Sequence, residues 1–309
     1  SAPLGAKLSE ALIRSAAVLP FGAVERLGGW AGRCLAHAPL DLRSTTRINL
    51  ELCFPELDLA QRRALERESL VQTSRTMLEF AGLWCWPAER ALSLVREVRG
   101  AELLQTARAQ GRGVVLLAPH FGAWEIVGLY LSSVGPFALI YKTPRIREMK
   151  DFYVASRKRL GATVLPTDKG GVLGLHRALK RGDIVGIMPD QEPGYGAGIF
   201  VPFFGVLANT SPMSLKLAQK NGSPILLIWA ERLPAAAGFC IHISAPRDDA
   251  MRDPDLAAAA SAMNLELETL IRAAPAQYLW SYKRFRYRPP GLVNPYRHGV
   301  NERTVGVRR

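Results

Sequence analysis

The sequence predicts an α/β fold: a single domain with a mostly parallel central sheet covered by helices on both faces, preceded by a helical region. Two observations lead to this prediction. From Gly111 onward, short continuous apolar runs alternate with stretches of helical periodicity, a pattern typical of strands that are buried on both faces. Residues 1–85, in contrast, are rich in Ala and Leu that recur at helical spacing.

The N-terminal region, residues 1–85, is predicted to form amphipathic helices. Pro20 and Pro39 divide its first part into short helices, and Asp58 is a suitable N-cap for a longer one. The segment 8–19 is too polar to span a bilayer, although such a helix suits a membrane interface. The same apolar faces could instead pack on the sheet, and the sequence leaves both possibilities open.

The strands and helices of the α/β part are expected to alternate along the chain. We predict strands at 113–119, 137–142, 162–166, 183–189, 224–232 and 239–244. We predict helices around 123–132, 146–160, 170–180, 210–221 and 254–272. The expected division is a helical region at 1–85, an α/β domain at 86–290 and a basic tail at 291–309.

The composition points to an anionic partner. The chain has 309 residues, a formal net charge of +13 and 48% hydrophobic residues, so it can bury a core while presenting a basic surface. Nucleic acid, an anionic membrane, a phosphorylated substrate and an acidic protein all suit this charge, and so does a merely solvated basic surface. The four cysteines are scattered without a C-x-x-C pair, which indicates neither a zinc site nor a disulfide framework.

A histidine and a glutamate follow the first of these strands. His120 lies where the strand ends, and Glu125 lies in or near the first turn of the next helix. Ligands gather at the carboxyl ends of parallel strands, histidine suits proton transfer near neutral pH, and a nearby carboxylate can fix its tautomer. We therefore expect a base and its carboxylate in one crevice. The alternative is a structural histidine beside a glutamate that only favours the helix dipole.

A second candidate segment follows the strand at 183–189. Asp190 stands at this strand end, and the residues after it are rich in Gly, Pro and aromatic side chains. Long loops in compact domains are usually functional or disordered, and this one is too apolar for disorder. We expect a functional loop, with a structural turn capped by Asp190 as the alternative.

Three ordered sequence blocks resemble one enzyme family. The block APHFGAWE is similar to the H-x-x-x-x-[D/E] box of the glycerolipid acyltransferase superfamily. The blocks DQEPGYGAGIFVPFFG and PAQYLWSYKRF are similar to two further blocks of the late lipid A acyltransferases of Gram-negative bacteria. A lone H-x-x-x-x-E is a weak signal, whereas three blocks in the same order and spacing cover nearly the whole chain. One position departs from the pattern, because Tyr282 stands where the family often has histidine, and this suggests a different acceptor.

The resemblance implies roles for individual residues. His120 matches the general base that deprotonates an acceptor hydroxyl, and Glu125 matches the carboxylate that orients and charges that base. An arginine of the following basic stretch would meet an acceptor phosphate or the developing oxyanion. Arg157 is our first choice for it, because it precedes the turn RLGA as the family's arginine does, and Arg145 is the second.

Further residues are expected to line the substrate cleft. By the resemblance, Asp190 and Gln191 lie on the acceptor side. A fatty chain must leave water during transfer, so we expect an apolar groove beside the base, built from Trp124, Phe203 and Phe204. These aromatic residues could instead belong to an ordinary core.

The resemblance also implies partners and a location. The acyl donor would be an acyl carrier protein thioester or acyl-CoA, used as co-substrate without any further cofactor or metal. The acceptor would be a hydroxyl of a lipid A precursor or of a related glycolipid or lipid, and nothing in the sequence indicates an acyl-enzyme. We expect contact with anionic lipid at the cytoplasmic face of the bacterial inner membrane, peripherally or through an N-terminal anchor, and no nucleic-acid partner.

Two other functions compete with acyl transfer to lipid A. The same fold could acylate a different acceptor, or it could be a catalytically silent basic module that binds membrane or nucleic acid, since the tail interleaves cations with aromatic residues. A binding module does not need a histidine and a glutamate at one strand end. Hydrolysis of the thioester is a third possibility, if water reaches the base when no acceptor is bound.

Overall fold

A computed structural model describes residues 4–141, 150–301 and 304, and it confirms the predicted α/β class. The helices are α1 Leu4–Ala16, α2 Phe21–Leu35, α3 Asp41–Cys53, α4 Leu59–Cys85, α5 Ala88–Leu92, α6 Ala101–Ala109, α7 Trp124–Val134, α8 Lys150–Lys158, α9 Lys169–Lys180, α10 Met213–Asn221, α11 Leu256–Ala273 and α12 Pro295–His298. The strands are β1 Val95–Arg99, β2 Val114–Leu117, β3 Phe137–Tyr141, β4 Thr163–Pro166, β5 Ile184–Ile187, β6 Ile199–Phe203, β7 Val206–Thr210, β8 Ile225–Arg232 and β9 Phe239–Ser244.

The central sheet has seven strands in the order β1-β9-β8-β2-β5-β3-β4. Every neighbouring pair is parallel except β8 and β9, which run antiparallel. All six predicted strands are present. Strand β1 was not predicted, because its sequence VREVR is largely exposed and lacks an apolar run.

The segment that we expected to be a long loop contains a β-hairpin. Strands β6 and β7 pair antiparallel, with Phe203 opposite Val206 at the turn. Phe204 and Gly205 form this turn, and both have positive φ angles, 51° and 73°. The aromatic and β-branched residues that we assigned to a loop therefore suit a two-stranded ribbon, which packs its inner face on α11.

Strand β2 places the histidine corner over the middle of the sheet. All four of its residues are buried, and the chain then turns sharply before α7 begins at Trp124. Gly122 makes this turn possible. Its φ is +56°, and a Cβ at this position would lie 1.9 Å from the Ala230 carbonyl oxygen, so only glycine fits.

The long helix α4 begins at the predicted cap, Asp58, which forms a reciprocal capping box with Gln61. Helix α2 packs closely against α4, because a glycine faces α4 at the crossing. A Cβ on Gly32 would lie 2.3 Å from the Val71 Cα. Part of the N-terminal helical region is thus buried against α4.

A buried arginine ties this helical region to the sheet. Arg232, the last residue of β8, donates two hydrogen bonds of 2.6 Å to the Glu79 carboxylate and one of 2.7 Å to the Thr76 hydroxyl, both on α4. Glu25 of α2 lies 3.4 Å from the same guanidinium. Burial and the neighbouring Glu79 raise the pKa of Glu25 to about 8, so Glu25 is largely protonated at neutral pH and Arg232 pairs chiefly with Glu79.

None of the helices in the described ranges is both long and apolar enough to cross a bilayer.

The close crossing of α2 and α4 gives a test of the packing. Gly32→Ala is expected to lower the free energy of unfolding by about 1–3 kcal/mol, because the added methyl overlaps the α4 backbone. Gly22→Ala is the matched control on the same helix, since a Cβ there meets nothing within 4 Å. It should leave stability unchanged or raise it by up to roughly 1 kcal/mol. Urea unfolding followed by circular dichroism measures both, and equal stability of the two variants would contradict the close crossing.

Candidate active site

His120 lies at the end of β2, and a buried carboxylate holds it at two points. The Asp190 side chain accepts a hydrogen bond of 2.9 Å from the His120 backbone N–H, and its other oxygen lies 3.0 Å from Nδ1 of the ring. Only 2% of the Asp190 side chain is exposed, against 13% for His120. Strands β2 and β5 are neighbours in the sheet, which is why residues so far apart in sequence meet at its carboxyl edge.

The protonation of this pair follows from its surroundings. Burial alone would raise the pKa of Asp190, but the facing His120 ring and the two hydrogen bonds from His120 hold that pKa below its ordinary value. An ionised carboxylate can only accept hydrogen bonds, so Nδ1 of His120 carries a proton, and in the neutral imidazole this tautomer leaves the lone pair on Nε2. The Gln191 amide nitrogen lies 3.1 Å from Nε2 and can donate to it.

The closing sequence block fixes the backbone of the histidine corner. The His120 carbonyl accepts from the Leu279 N–H at 3.0 Å, and the Gly122 N–H donates to the Gln277 carbonyl at 2.9 Å. The Gln277 side chain also bonds both backbone groups of Arg232. The block that supported the family resemblance is therefore a strap across the end of β2, and sequence reasoning assigned no such role to Gln277.

The Tyr282 hydroxyl accepts a hydrogen bond of 2.9 Å from the Glu192 backbone N–H. The residue that departs from the family pattern thus supports the loop that carries Asp190 and Gln191.

Glu125 lies near the histidine but contacts other partners. Its carboxylate accepts a hydrogen bond of 3.0 Å from the Trp84 indole and pairs with the Arg157 guanidinium. We expected Glu125 to contact the His120 ring. The structure differs, because α7 begins at Trp124 and directs Glu125 toward α4 and α8, while Asp190 occupies the place beside Nδ1.

Aromatic side chains surround one side of the histidine. Trp124 lies edge-on to His120, with ring centroids 5.2 Å apart, and contacts Phe80. Phe80 stacks on Trp84, which in turn meets Tyr153. This aromatic wall of Phe80, Trp84, Trp124 and Tyr153 comes from α4, α7 and α8. Sequence reasoning found Trp124 but missed Phe80 and Trp84, although their spacing of four residues on a long helix is a readable signal.

Phe203 and Phe204 lie elsewhere. They are only 1% and 6% exposed, and they pack in the core with Trp280 and Tyr278. Phe203 and Phe204 are therefore core residues, which is the alternative that we considered, and they do not line an open groove. Arg145 lies outside the described residues. Within the described part of the chain, no group of three His, Cys, Asp or Glu side chains could hold a metal ion.

The chain also matches known proteins over nearly its whole length. Residues 5–287 match the family description "Bacterial lipid A biosynthesis acyltransferase". The chain belongs to this family. It is 29% identical over 279 residues to the lipid A biosynthesis lauroyltransferase of Escherichia coli, covering 90% of each chain. It is 30% identical over 255 residues to the palmitoleoyltransferase of the same bacterium, covering 82% of this chain and 81% of the relative.

Family membership confirms the predicted class of O-acyltransferases in lipid A biosynthesis. A lipid A biosynthesis myristoyltransferase of Escherichia coli is also similar, at 27% identity over 276 residues, with 88% of this chain and 82% of the relative covered. The names of these three relatives specify different acyl groups. Family membership therefore does not by itself identify the acyl group that this acyltransferase transfers.

The two carboxylates near His120 are expected to respond differently to substitution. Asp190→Asn should lower kcat by on the order of 100-fold or more, because an amide beside Nδ1 no longer enforces the productive tautomer. Glu125→Gln leaves the His120–Asp190 contact intact and removes the charge that holds Arg157. Compared with Asp190→Asn, Glu125→Gln should therefore lower kcat less and raise KM for the acceptor more. Steady-state kinetics measure both variants, with thermal melting as the folding control, and equal losses of kcat would contradict this division of roles.

Proposed function

We propose that the protein transfers a fatty acyl group from an acyl carrier protein thioester to a hydroxyl of a lipid A precursor or a related glycolipid, with His120 as the general base. The observation that supports this most is the pairing of His120 with the buried, ionised Asp190. A buried, ionised carboxylate is costly unless it is paired, and perturbed ion pairs of this kind cluster at functional sites. Acyl-CoA is the alternative donor.

The proposed reaction is a direct attack. Nε2 of His120 takes the proton of the acceptor hydroxyl while Asp190 stabilises the imidazolium. The hydroxyl oxygen attacks the thioester carbonyl carbon, the carbon–sulfur bond breaks, and the leaving thiolate takes the proton back from Nε2. Gln191, which lies against Nε2, must yield its place to the hydroxyl and is suited to hold the acceptor afterwards.

Arg157 and the aromatic wall have complementary parts in this proposal. Arg157 presents a cation near the base, where it can meet an acceptor phosphate or the oxyanion, and Glu125 fixes its position. The acyl chain would lie along Phe80, Trp84 and Trp124, since each methylene removed from water contributes roughly 0.8 kcal/mol. This replaces the groove that we expected from the hairpin.

Other functions have less support. A silent binding module would gain nothing from the His120–Asp190 pair. Transfer to another acceptor remains the second candidate, because Tyr282 stands in place of the family's histidine. Hydrolysis of the thioester would follow if water took the position of the acceptor hydroxyl.

We also propose that the helical region 1–85 contacts the membrane through part of its surface and that 86–290 form the catalytic domain, with the protein peripheral on the cytoplasmic face of the inner membrane. Large apolar side chains are exposed on and after α1 and on α2: Leu12, Val18, Leu19, Leu27 and Trp30. We call these five residues the apolar surface. Trp30, at 63% exposed, is the kind of side chain that anchors a protein at a membrane interface.

Acyl transfer can be tested directly. The protein is incubated with labelled acyl-acyl carrier protein and total membrane lipids, and the acylated lipid is identified by mass spectrometry. His120→Ala should reduce transfer by on the order of 10²- to 10⁴-fold, because a general base is lost. His298→Ala, which removes an exposed histidine on α12, is the matched control. Retention of more than about a tenth of wild-type transfer by His120→Ala would contradict its role as base.

Membrane binding is expected to depend on the apolar surface and on charge. Leu27→Glu should reduce co-sedimentation with anionic vesicles, and raised salt should weaken binding of the wild type. Leu173→Glu is the matched control, because Leu173 on α9 is 47% exposed and Leu27 is 46% exposed. Equal losses in the two variants would contradict a membrane role for α2. Binding to zwitterionic vesicles as strong as to anionic ones would contradict the electrostatic contribution.

A further inference from the structure

A basic cleft lies outside the candidate active site, between α3 and the first turns of α4. Its volume is about 380 Å³, and its lining includes two glutamates and five arginines: Arg43, Arg47, Arg62, Arg63 and Arg67. We call it the arginine cleft. Such an excess of positive charge in a concave site attracts anionic ligands.

Part of the arginine cleft is fixed and part is available. Arg43 pairs with Glu66 at 2.9 Å, and Arg62 donates to the Leu57 carbonyl at 2.7 Å. Buried Nε of Arg62 lacks a hydrogen-bond partner among the described residues. The remaining three arginines are exposed and form no ion pair or hydrogen bond with any residue that the structure describes: Arg47, Arg63 and Arg67. The cleft therefore offers guanidinium groups that are still unpaired.

The distance from the cleft to the base is set by a single helix. Thr76 of α4 donates to the Gly122 carbonyl at 3.2 Å, beside the histidine corner. Along α4, Arg67 lies about 14 Å and Arg63 about 20 Å from Thr76, at roughly 1.5 Å of rise per residue. This separation is too large for one small substrate headgroup and matches a donor held on a long flexible arm.

We infer that the arginine cleft is a docking site for the acyl carrier protein, a small acidic protein that presents its thioester on a phosphopantetheine arm. This inference rests on the proposed acyl transfer. The carboxylates of the carrier, together with the phosphate of its arm, would pair with Arg47, Arg63 and Arg67 while the arm extends along α4 toward His120. Guanidinium groups bind carboxylate and phosphate through two parallel hydrogen bonds.

A protein partner fits this cleft better than a lipid surface does. Arginine is enriched and lysine depleted in protein interfaces, and the cleft is lined by arginine without lysine. A planar bilayer cannot follow a concave cleft between two helices. Exposed Leu59 at its edge adds an apolar contact of the kind that interface centres use.

The proposed membrane contact leaves the cleft accessible. The apolar surface lies beside the later part of α4: Gly28, next to Leu27, faces Arg75, and the carbonyl of Ala17, next to Val18, accepts from the indole of Trp86, just after α4. Arg67 precedes Arg75 by about 12 Å along the helix. The carrier can therefore approach from water beside the membrane-facing part.

The test compares two thioester donors with the same acyl chain: acyl-acyl carrier protein, and the S-acyl-N-acetylcysteamine thioester, which has no phosphate and no protein. Arg63→Glu/Arg67→Glu should raise KM for the protein donor by about tenfold or more, and should change KM for the small donor less than twofold. Lys216→Glu/Lys220→Glu is the matched control, because it reverses two cations with the same spacing on α10. It should change neither KM.

Binding is measured separately, by fluorescence anisotropy of labelled holo-acyl carrier protein, and Arg63→Ala/Arg67→Ala serves as a milder variant if charge reversal impairs folding. Both variants should bind the carrier more weakly than wild type. Unchanged KM and binding would overturn the docking site, as would equal increases in KM for both donors. So would a loss of vesicle binding with normal carrier binding, since the cleft would then serve lipid. Absence of transfer from either donor by the wild type would refute the proposed function, while the anisotropy measurement would still decide the docking.

Discussion

Asp190 holds His120 by its backbone and by its ring at once, and the arrangement of the candidate site depends on this double contact. The contact requires that β2 and β5 lie side by side and that the closing block hold the corner from the other side. It also requires glycine at position 122, because a Cβ there would lie 1.9 Å from the Ala230 carbonyl oxygen. Because the carboxylate is buried and ionised, it needs the histidine as its partner. The sheet, the corner and the strap therefore form one unit with the base.

The N-terminal helices belong to this unit as well. Helix α4 supplies Thr76 to the histidine corner, Glu79 to the buried Arg232 and Trp84 to Glu125. A single helix thus contacts the histidine corner, contributes to the proposed acyl wall and pairs with the buried Arg232 of the sheet.

Three surfaces of the molecule would then serve three partners. The apolar surface on α1 and α2 would face lipid, the arginine cleft at the start of α4 would receive the acidic donor, and the crevice at His120 would hold the acceptor. The net charge of +13 is consistent with this arrangement, because both the carrier and the membrane are anionic. Charge alone could not distinguish between them, whereas its distribution along α3 and α4 favours a protein partner.

The sequence by itself determined the α/β class, the six apolar strands and the cap at Asp58, because apolar periodicity and capping are local properties of the chain. Strand-end position made His120 and Asp190 candidates, and the family resemblance made Arg157 one. The sequence did not determine which carboxylate meets His120. That choice depends on the direction in which α7 leaves the corner and on the adjacency of β2 and β5, both of which are set by packing. Only the tertiary structure buried Phe203 in the core, brought Trp84 to the site and gathered the arginines of two helices into one cleft, since each of these contacts joins residues from separate elements.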